Sequence, residues 1–240
     1  MSRQQRVRKV LKHNLFITFL KGLLRLFVRK PQIVGEQLPT KPSIILANHK
    51  GAAGPLVLSL YFPALFVPWG HYQMTEGYLR RFDYLYRVFY RTKLGKGKVA
   101  SFILAVLFGL VSKLIYNGMH VIPSYPDLRL RRTLRISFAH LDEGNNVLVF
   151  PEDSNSGYHD VPNSFFGGFA VLAIEYYRRT KNDVPITPVF FSKPDRLIAI
   201  GESISIKSLL DQGMGRRDIT KHFEVLCDTL HKKYVIDKKR

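Results

Sequence analysis

The sequence has little cysteine and few acidic residues. Cys227 is the single cysteine among 240 residues, which excludes a disulfide framework and any zinc or iron–sulfur site built from several cysteines. Only 18 residues are acidic against 37 basic ones, so the formal net charge is +19 at pH 7. Hydrophobic residues still make up 46% of the chain, which excludes intrinsic disorder, because disorder combines high charge with low hydrophobicity. The composition predicts a globular, basic protein without a bound metal.

The acids are missing mainly from the first 135 residues. Residues 1–30 hold nine basic residues and no acid, and residues 77–98 hold seven basic residues and one acid. Residues 125–135 add four arginines and one acid, whereas the chain from Ile136 onward is neutral overall. Charge concentrated in this way indicates an anionic partner, either nucleic acid or lipid headgroups.

The apolar pattern near the N-terminus favours lipid. Eight Leu and Phe side chains recur at steps of three and four residues between Leu11 and Phe27, with lysines and arginines beside them. A basic amphipathic helix of this kind is typical of the membrane interface, although a helix packed on its own domain is the alternative. No known nucleic-acid motif accompanies the charge. We therefore predict a membrane-interface helix at residues 1–30, with an anionic lipid surface as partner and no nucleic acid.

Long apolar runs are also lacking. The two longest, Pro55–Gly70 and Val99–Ser112, fall short of the ~20 residues that span a bilayer. Pro63 and Pro68 interrupt the first run, and Lys113 closes the second. These interruptions predict peripheral or interfacial attachment to the cytoplasmic face of a membrane.

Residues 31–240 alternate between short β-rich runs and helical patterns. Strands are predicted at 43–47, 64–68, 119–123, 146–150, 186–192 and 196–200. Helices are predicted at 53–62, 78–91, 99–117, 128–143, 164–180 and 217–235. This order predicts an α/β domain with a mixed, largely parallel central sheet flanked by helices and preceded by the N-terminal amphipathic helix. Pro185 and Pro188 predict a sheet edge or the start of a strand, because proline cannot donate a ladder hydrogen bond.

Polar side chains follow three of the predicted strands, where ligands gather in parallel sheets. Asn48-His49 follows the first strand, Ser124 the third, and Glu152-Asp153 the fourth. A histidine at a strand end is well placed as a general base, although a lone loop histidine often only bonds to backbone. The two carboxylates are placed to orient a base or contact substrate hydroxyls, or else to cap the next turn.

Four segments in order carry a family resemblance over about residues 40–200. They are Asn48-His49, the apolar strand Gly118–Ile122, Phe150-Pro151-Glu152, and Val184-Pro185-Ile186-Thr187-Pro188-Val189. Together they resemble the four motifs of the lysophospholipid acyltransferase superfamily, the PlsC-like glycerolipid acyltransferases. Each motif is short, and it is their order and spacing that make the resemblance specific.

The resemblance implies a membrane-associated O-acyltransferase of lipid metabolism. A fatty acyl group would move from acyl-CoA or acyl carrier protein, the co-substrate, to a lipid hydroxyl, with His49 as general base and no bound cofactor. The matching positions imply that Asn48, Glu152, Ser124 and Pro188 lie at the substrate.

The chain departs from the family pattern where the histidine should be oriented. Gly54 stands at the position of the family's Asp. Either another acid orients His49, with Asp153 predicted ahead of Glu76 and Asp160, or the protein is a catalytically inactive relative that binds lipid without turning it over.

The motif arginines that hold the acceptor phosphate are missing as well. Ser124 replaces the first, and Asp153-Ser154-Asn155 replaces the Gly-Thr-Arg that contains the second. Loss of two bidentate phosphate contacts favours an acceptor with a neutral or different headgroup. Four later arginines either restore phosphate binding or form a solvated helix face, namely Arg129, Arg131, Arg132 and Arg135.

Overall fold

The structure is a computed structural model that describes residues 15–49, 51, 53–152 and 164–237. In these residues the strands are β1 (Gln32–Gly35), β2 (Ile44–Ala47), β3 (Phe66–His71), β4 (Ile122–Ser124), β5 (Asn146–Val149), β6 (Pro185–Ser192), β7 (Leu197–Ile200) and β8 (Ile204–Ser205). The α-helices of the same residues are α1 (Leu15–Phe27), α2 (Ala53–Tyr61), α3 (Tyr78–Asp83), α4 (Lys98–Gly118), α5 (Leu130–Asp142), α6 (Gly168–Thr180), α7 (Ile206–Asp211) and α8 (Arg216–His231). Two π-helical segments, Tyr84–Lys93 and Lys232–Ile236, continue α3 and α8.

One mixed sheet organises the fold, with strand order β1-β7-β6-β2-β5-β3-β4 and β8 paired to β6. Strands β6, β2, β5, β3 and β4 all run parallel, whereas β7 and β8 pair with β6 in the antiparallel sense. The predicted α/β class with a mixed, largely parallel sheet is therefore confirmed. Because five neighbouring strands share one direction, their carboxyl ends form one continuous edge.

The central strands are mostly apolar because helices cover both faces of the sheet. All four residues of β2 are buried, and its side chains alternate between two cores. Ile44 and Leu46 pack with Phe169 of α6 and Phe223 of α8, while Ile45 packs on the opposite face. This double burial fixes the register of β2 and with it the position of the residues that follow.

Pro188 is the exception to the proline rule applied above. Pro185 begins β6 as predicted, but Pro188 lies in the interior of the sheet, paired with Leu46 of β2. The prediction of an edge or strand start is wrong for Pro188. Its carbonyl accepts a hydrogen bond from the Gly201 amide just beyond β7, at 2.8 Å, so its missing N–H faces the gap between β7 and β8. No ladder donor is needed at that gap.

Helix α1 confirms the helical part of the prediction for the N-terminal segment, and residues 1–14 lie outside the described residues. It contacts α2 and α4 and buries Ile17. Its other side is apolar and open, and the exposed side chains are Leu15, Phe16, Phe19, Leu23, Leu26 and Phe27. The helix therefore packs on the domain along one face and leaves an apolar face uncovered.

Helix α4 confirms the helix predicted at 99–117 and extends it by one residue at each end. Lys113 does not end it, and its 21 residues make it, among the described residues, the one helix long and apolar enough by length and composition to cross a membrane. The apolar run is interrupted at Lys113 as predicted, and the helix that contains it reaches the ~20 residues that span a bilayer. Lys113 is tolerated because its side chain lies on the exposed side of the helix, where a long basic side chain keeps its charge in water.

The packing of α4 inverts the usual pattern of a surface helix. It turns small residues toward the domain, namely Ser101, Ala105, Gly109, Ser112 and Gly118. A Cβ atom on Gly109 would lie 3.3 Å from the Tyr78 ring, so the helix sits close to its neighbours. Its large apolar residues point outward, namely Val99, Phe102, Ile103, Leu107, Leu110, Val111 and Leu114. A contiguous set of exposed large apolar residues on one helix is typical of an interaction surface.

Candidate active site at the carboxyl edge of the sheet

The carboxyl ends of the parallel strands bring together segments that are distant in the sequence. Asn48 and His49 follow β2, and Glu152 follows the neighbouring strand β5. On the next two strands, His71 ends β3 directly opposite Ser124, which ends β4. The predicted residues Asn48, His49, Glu152 and Ser124 therefore share one edge.

Asn48 holds β2 to β6 beyond the end of the regular ladder. Its carboxamide nitrogen donates to the Phe191 carbonyl at 3.0 Å, and its carboxamide oxygen accepts from the Phe191 amide at 2.6 Å. The side chain is almost fully buried, so these two bonds replace those a further strand residue would make. Asn48 thus fastens the end of β2 to β6 directly before His49, and its contact with substrate stays a prediction.

Glu152 is bonded to the backbone of His49. One carboxylate oxygen of Glu152 accepts the backbone N–H of His49 at 2.9 Å, across 103 residues of sequence. The His49 ring meets the ring of Phe150 edge-on, with centroids 4.9 Å apart. The segments that follow β2 and β5 are thus fastened to each other at the histidine.

The His49 imidazole is neutral at pH 7. Burial and, to a smaller extent, the positive charge of Lys93 lower its pKa from 6.5 to about 4, outweighing a backbone hydrogen bond that raises it. A general base has to be unprotonated to accept a proton, and His49 meets that condition.

This pKa predicts how stability depends on pH. Between about pH 6.5 and 4 the unfolded chain binds a proton at His49 that the folded chain does not, so stability is lost as the pH falls through this range. The loss attributable to His49 is at most about 3 kcal/mol. His49→Gln, which cannot titrate, should therefore lose that much less stability than wild type in urea unfolding at pH 7 and at about pH 4. Equal losses in the two proteins would contradict the lowered pKa.

Two groups at this edge were not predicted, His71 and Lys93. The His71 ring stacks on Tyr72 and Tyr84, with centroids 5.0 and 4.2 Å away. Burial by these neighbours and the charge of Lys93 lower its pKa to about 4, against a raising effect of Glu76. Because Lys93 acts on both histidines, its charge lies beside the site.

A sequence signal for His71 existed. The second β-rich run was predicted to end at Pro68, but β3 continues to His71, and the longer strand would have placed a histidine at a carboxyl end, as at His49. Lys93 carried no such signal, because a π-helical segment brings it there.

The described residues contain only part of the predicted acid set. Asp153 and Asp160 lie outside them. Glu76 forms an ion pair with Arg80 at 2.8 Å and influences His71. Gly54 is buried in the first turn of α2. The orienting role of Asp153 stays a prediction.

Pro188 does not join this edge. It is buried four residues before the end of β6, where its ring faces Gly201, so the structure does not bring it together with His49.

The four replacement arginines divide into two kinds. Arg129 forms a two-pronged ion pair with Asp127 and lies over the rings of Tyr72 and Tyr125, 4.8 and 4.7 Å from their centroids. The other three, Arg131, Arg132 and Arg135, are exposed on α5. Arg129 is thus close to the end of β4 but already paired with an acid.

Within residues 15–49, 51, 53–152 and 164–237, no group of three or more His, Cys, Asp or Glu side chains is arranged to hold a metal ion.

Comparison with known proteins finds no match for this chain among family models, curated proteins or solved structures.

Proposed function

We propose that this protein is a membrane-associated O-acyltransferase that moves a fatty acyl group from acyl-CoA or acyl carrier protein to a lipid hydroxyl. The observation that carries the proposal is the His49–Glu152 hydrogen bond at the carboxyl edge. It joins the Asn-His and Phe-Pro-Glu segments, 103 residues apart, around an imidazole that is neutral at pH 7.

The chemistry follows from one neutral base. His49 takes the proton of the acceptor hydroxyl, and the oxygen attacks the thioester carbonyl of the donor. When the tetrahedral intermediate collapses, the carbon–sulfur bond breaks and the leaving thiolate takes the proton back from the imidazolium. The products are a lipid ester and a free thiol, with no covalent enzyme intermediate.

Two further groups are consistent with this route. Lys93 offers positive charge beside His49, where the carbonyl oxygen of the intermediate gains negative charge. Cys227 is fully buried, and burial raises the pKa of its thiol, so it is not available as a nucleophile.

The uncovered apolar surface of α1 and α4 supports attachment to a membrane. We call this surface the apolar face, and its members are the exposed Leu, Phe, Ile and Val residues of the two helices given above. Exposed lysines at Lys98 and Lys113 flank it on α4. An apolar face beside positive charge fits the headgroup region of an anionic bilayer. We propose peripheral or interfacial binding at the cytoplasmic face, because the small-residue side of α4 is committed to the domain.

The second function to be weighed is a catalytically inactive relative that binds lipid. Gly54 favours it, because glycine cannot supply the carboxylate that orients a base histidine. In the serine proteases, loss of the acid that orients the base histidine lowers the turnover number about 10⁴-fold.

Acyl transfer to extracted lipids tests the proposal. The purified full-length protein is incubated with labelled acyl-CoA or acyl carrier protein and a total lipid extract, and the expected result is a labelled lipid ester that grows with time. A protein that binds the lipids but leaves the label on the donor would fit the inactive relative and contradict the enzyme.

A further inference from the structure

A cavity of about 210 Å³ lies at the amino ends of the parallel strands, opposite to the carboxyl ends that carry His49. It is bounded by α1, by the end of α2 and the chain leading into β3, and by Met119 just after α4. Phe66 in its wall is the first residue of β3, whereas the candidate active site lies where the parallel strands end. The cavity is therefore separate from the acyl-transfer edge.

Two cations on α1 line this cavity. Lys21 and Arg25 stand four residues apart, so their side chains share one helix face, where like charges repel. Arg25 is fixed there, because its Nε and Nη2 donate to the Leu60 carbonyl at 3.3 and 2.7 Å. Among the described residues that line the cavity there is no Asp or Glu.

The lysine is held in an environment that disfavours its charge. Burial, together with the smaller effect of the neighbouring Arg25 charge, lowers the pKa of Lys21 from 10.5 to about 8. A bound anion would offset both effects, because its negative charge stabilises the charged ammonium and reduces the repulsion between Lys21 and Arg25. The arrangement is therefore better suited to an anionic ligand than to an empty cavity.

The rest of the lining indicates what kind of anion fits. Two hydroxyl residues, Thr18 and Ser59, stand beside apolar walls, namely Leu60, Phe62, Ala64, Leu65, Phe66 and Met119. Leu65 is 47% exposed at the mouth of the cavity. Helix α1, which supplies Thr18, Lys21 and Arg25 to the lining, also carries part of the exposed apolar face. A ligand with a phosphate group and an attached acyl chain matches both the polar and the apolar part.

We infer that this cavity binds the phosphate group of an anionic lipid, apart from the acyl-transfer site. The phosphate chemistry would be shared by free phosphate, but the apolar walls favour the lipid. This inference rests on the membrane attachment in the proposed function and does not depend on acyl transfer.

Direct binding to a monomeric lipid tests the site without a bilayer. The full-length protein is titrated with short-chain phosphatidic acid and, in a second series, with inorganic phosphate, by calorimetry. Lys21→Gln is compared with Arg29→Gln, which removes the same charge from an exposed position outside the cavity lining. Because hydrogen bonds to charged groups contribute strongly to binding, Lys21→Gln should weaken phosphatidic acid binding about tenfold or more, and Arg29→Gln should leave it nearly unchanged.

The outcomes separate the sources of the ligand and the two proposals. Tighter binding of phosphatidic acid than of inorganic phosphate, lost in Lys21→Gln alone, supports the lipid site. Equal affinity for the two ligands, equal weakening in both variants, or no saturable binding overturns it. Thermal unfolding of Lys21→Gln checks the fold, and a cooperative transition like that of wild type shows that the variant is folded. Acyl transfer plays no part in these readouts, so a failed enzyme assay leaves them interpretable.

Discussion

His49→Gln is expected to lower the rate of acyl transfer by about two to four orders of magnitude. Glutamine keeps the approximate size and polarity of the histidine but cannot take a proton from the acceptor hydroxyl. The Glu152 carboxylate bonds the backbone N–H of residue 49, which the substitution retains, so the loop should keep its place. The rate at saturating donor and acceptor is the quantity to measure.

A second histidine provides the control for this substitution. His222 lies on α8, where its ring meets that of Phe223, and His222→Gln should keep the wild-type rate. Loss of the same size in both variants would indicate a general effect on folding. A wild-type rate in His49→Gln would remove His49 from the mechanism.

Charge placed on the apolar face of α4 should release the protein from membranes. Leu107 and Leu110 are 59% and 61% exposed, so Leu107→Glu combined with Leu110→Glu breaks no packing inside the domain. Burial of one leucine in an apolar phase contributes about 1.5–3 kcal/mol, so loss of both should weaken vesicle binding about 100-fold or more. Co-sedimentation with vesicles that contain anionic lipid measures the effect.

The matched control adds one negative charge elsewhere on the surface. Val225 is 52% exposed on α8, outside the apolar face, and Val225→Glu should lower vesicle binding only slightly. The account would be contradicted if each added glutamate lowered vesicle affinity by the same factor in Val225→Glu as in the double variant. General electrostatics would then explain the binding, and the apolar face would have no special role.

The sequence was sufficient for the order of strands and helices in the core. Strands such as β2 are buried on both faces, so they appear as short apolar runs between helical patterns. Strand β1 was missed because Gln32–Gly35 lies at the sheet edge and has only two apolar residues. The extent of α4 was predicted to within one residue at each end, because an exposed lysine such as Lys113 does not interrupt a helix.

The positions of those site residues that directly follow strands could be predicted from the sequence. His49 and Glu152 both follow buried parallel strands, so their proximity is a consequence of the sheet. The proximity of Lys93 depends on the π-helical segment Tyr84–Lys93 and its packing beside β3, which no local pattern encodes. Pro188 matched a motif, yet its strand position keeps it within the sheet.

The most direct test of the account is acyl transfer measured side by side for wild type and His49→Gln, both bound to the same anionic vesicles. We expect labelled ester to form from acyl-CoA or acyl carrier protein with wild type and to be nearly absent with His49→Gln, while the two proteins bind the vesicles equally. Equal ester formation by both proteins, or none by wild type while it is fully bound, would contradict the assignment of His49 as the base of an acyltransferase.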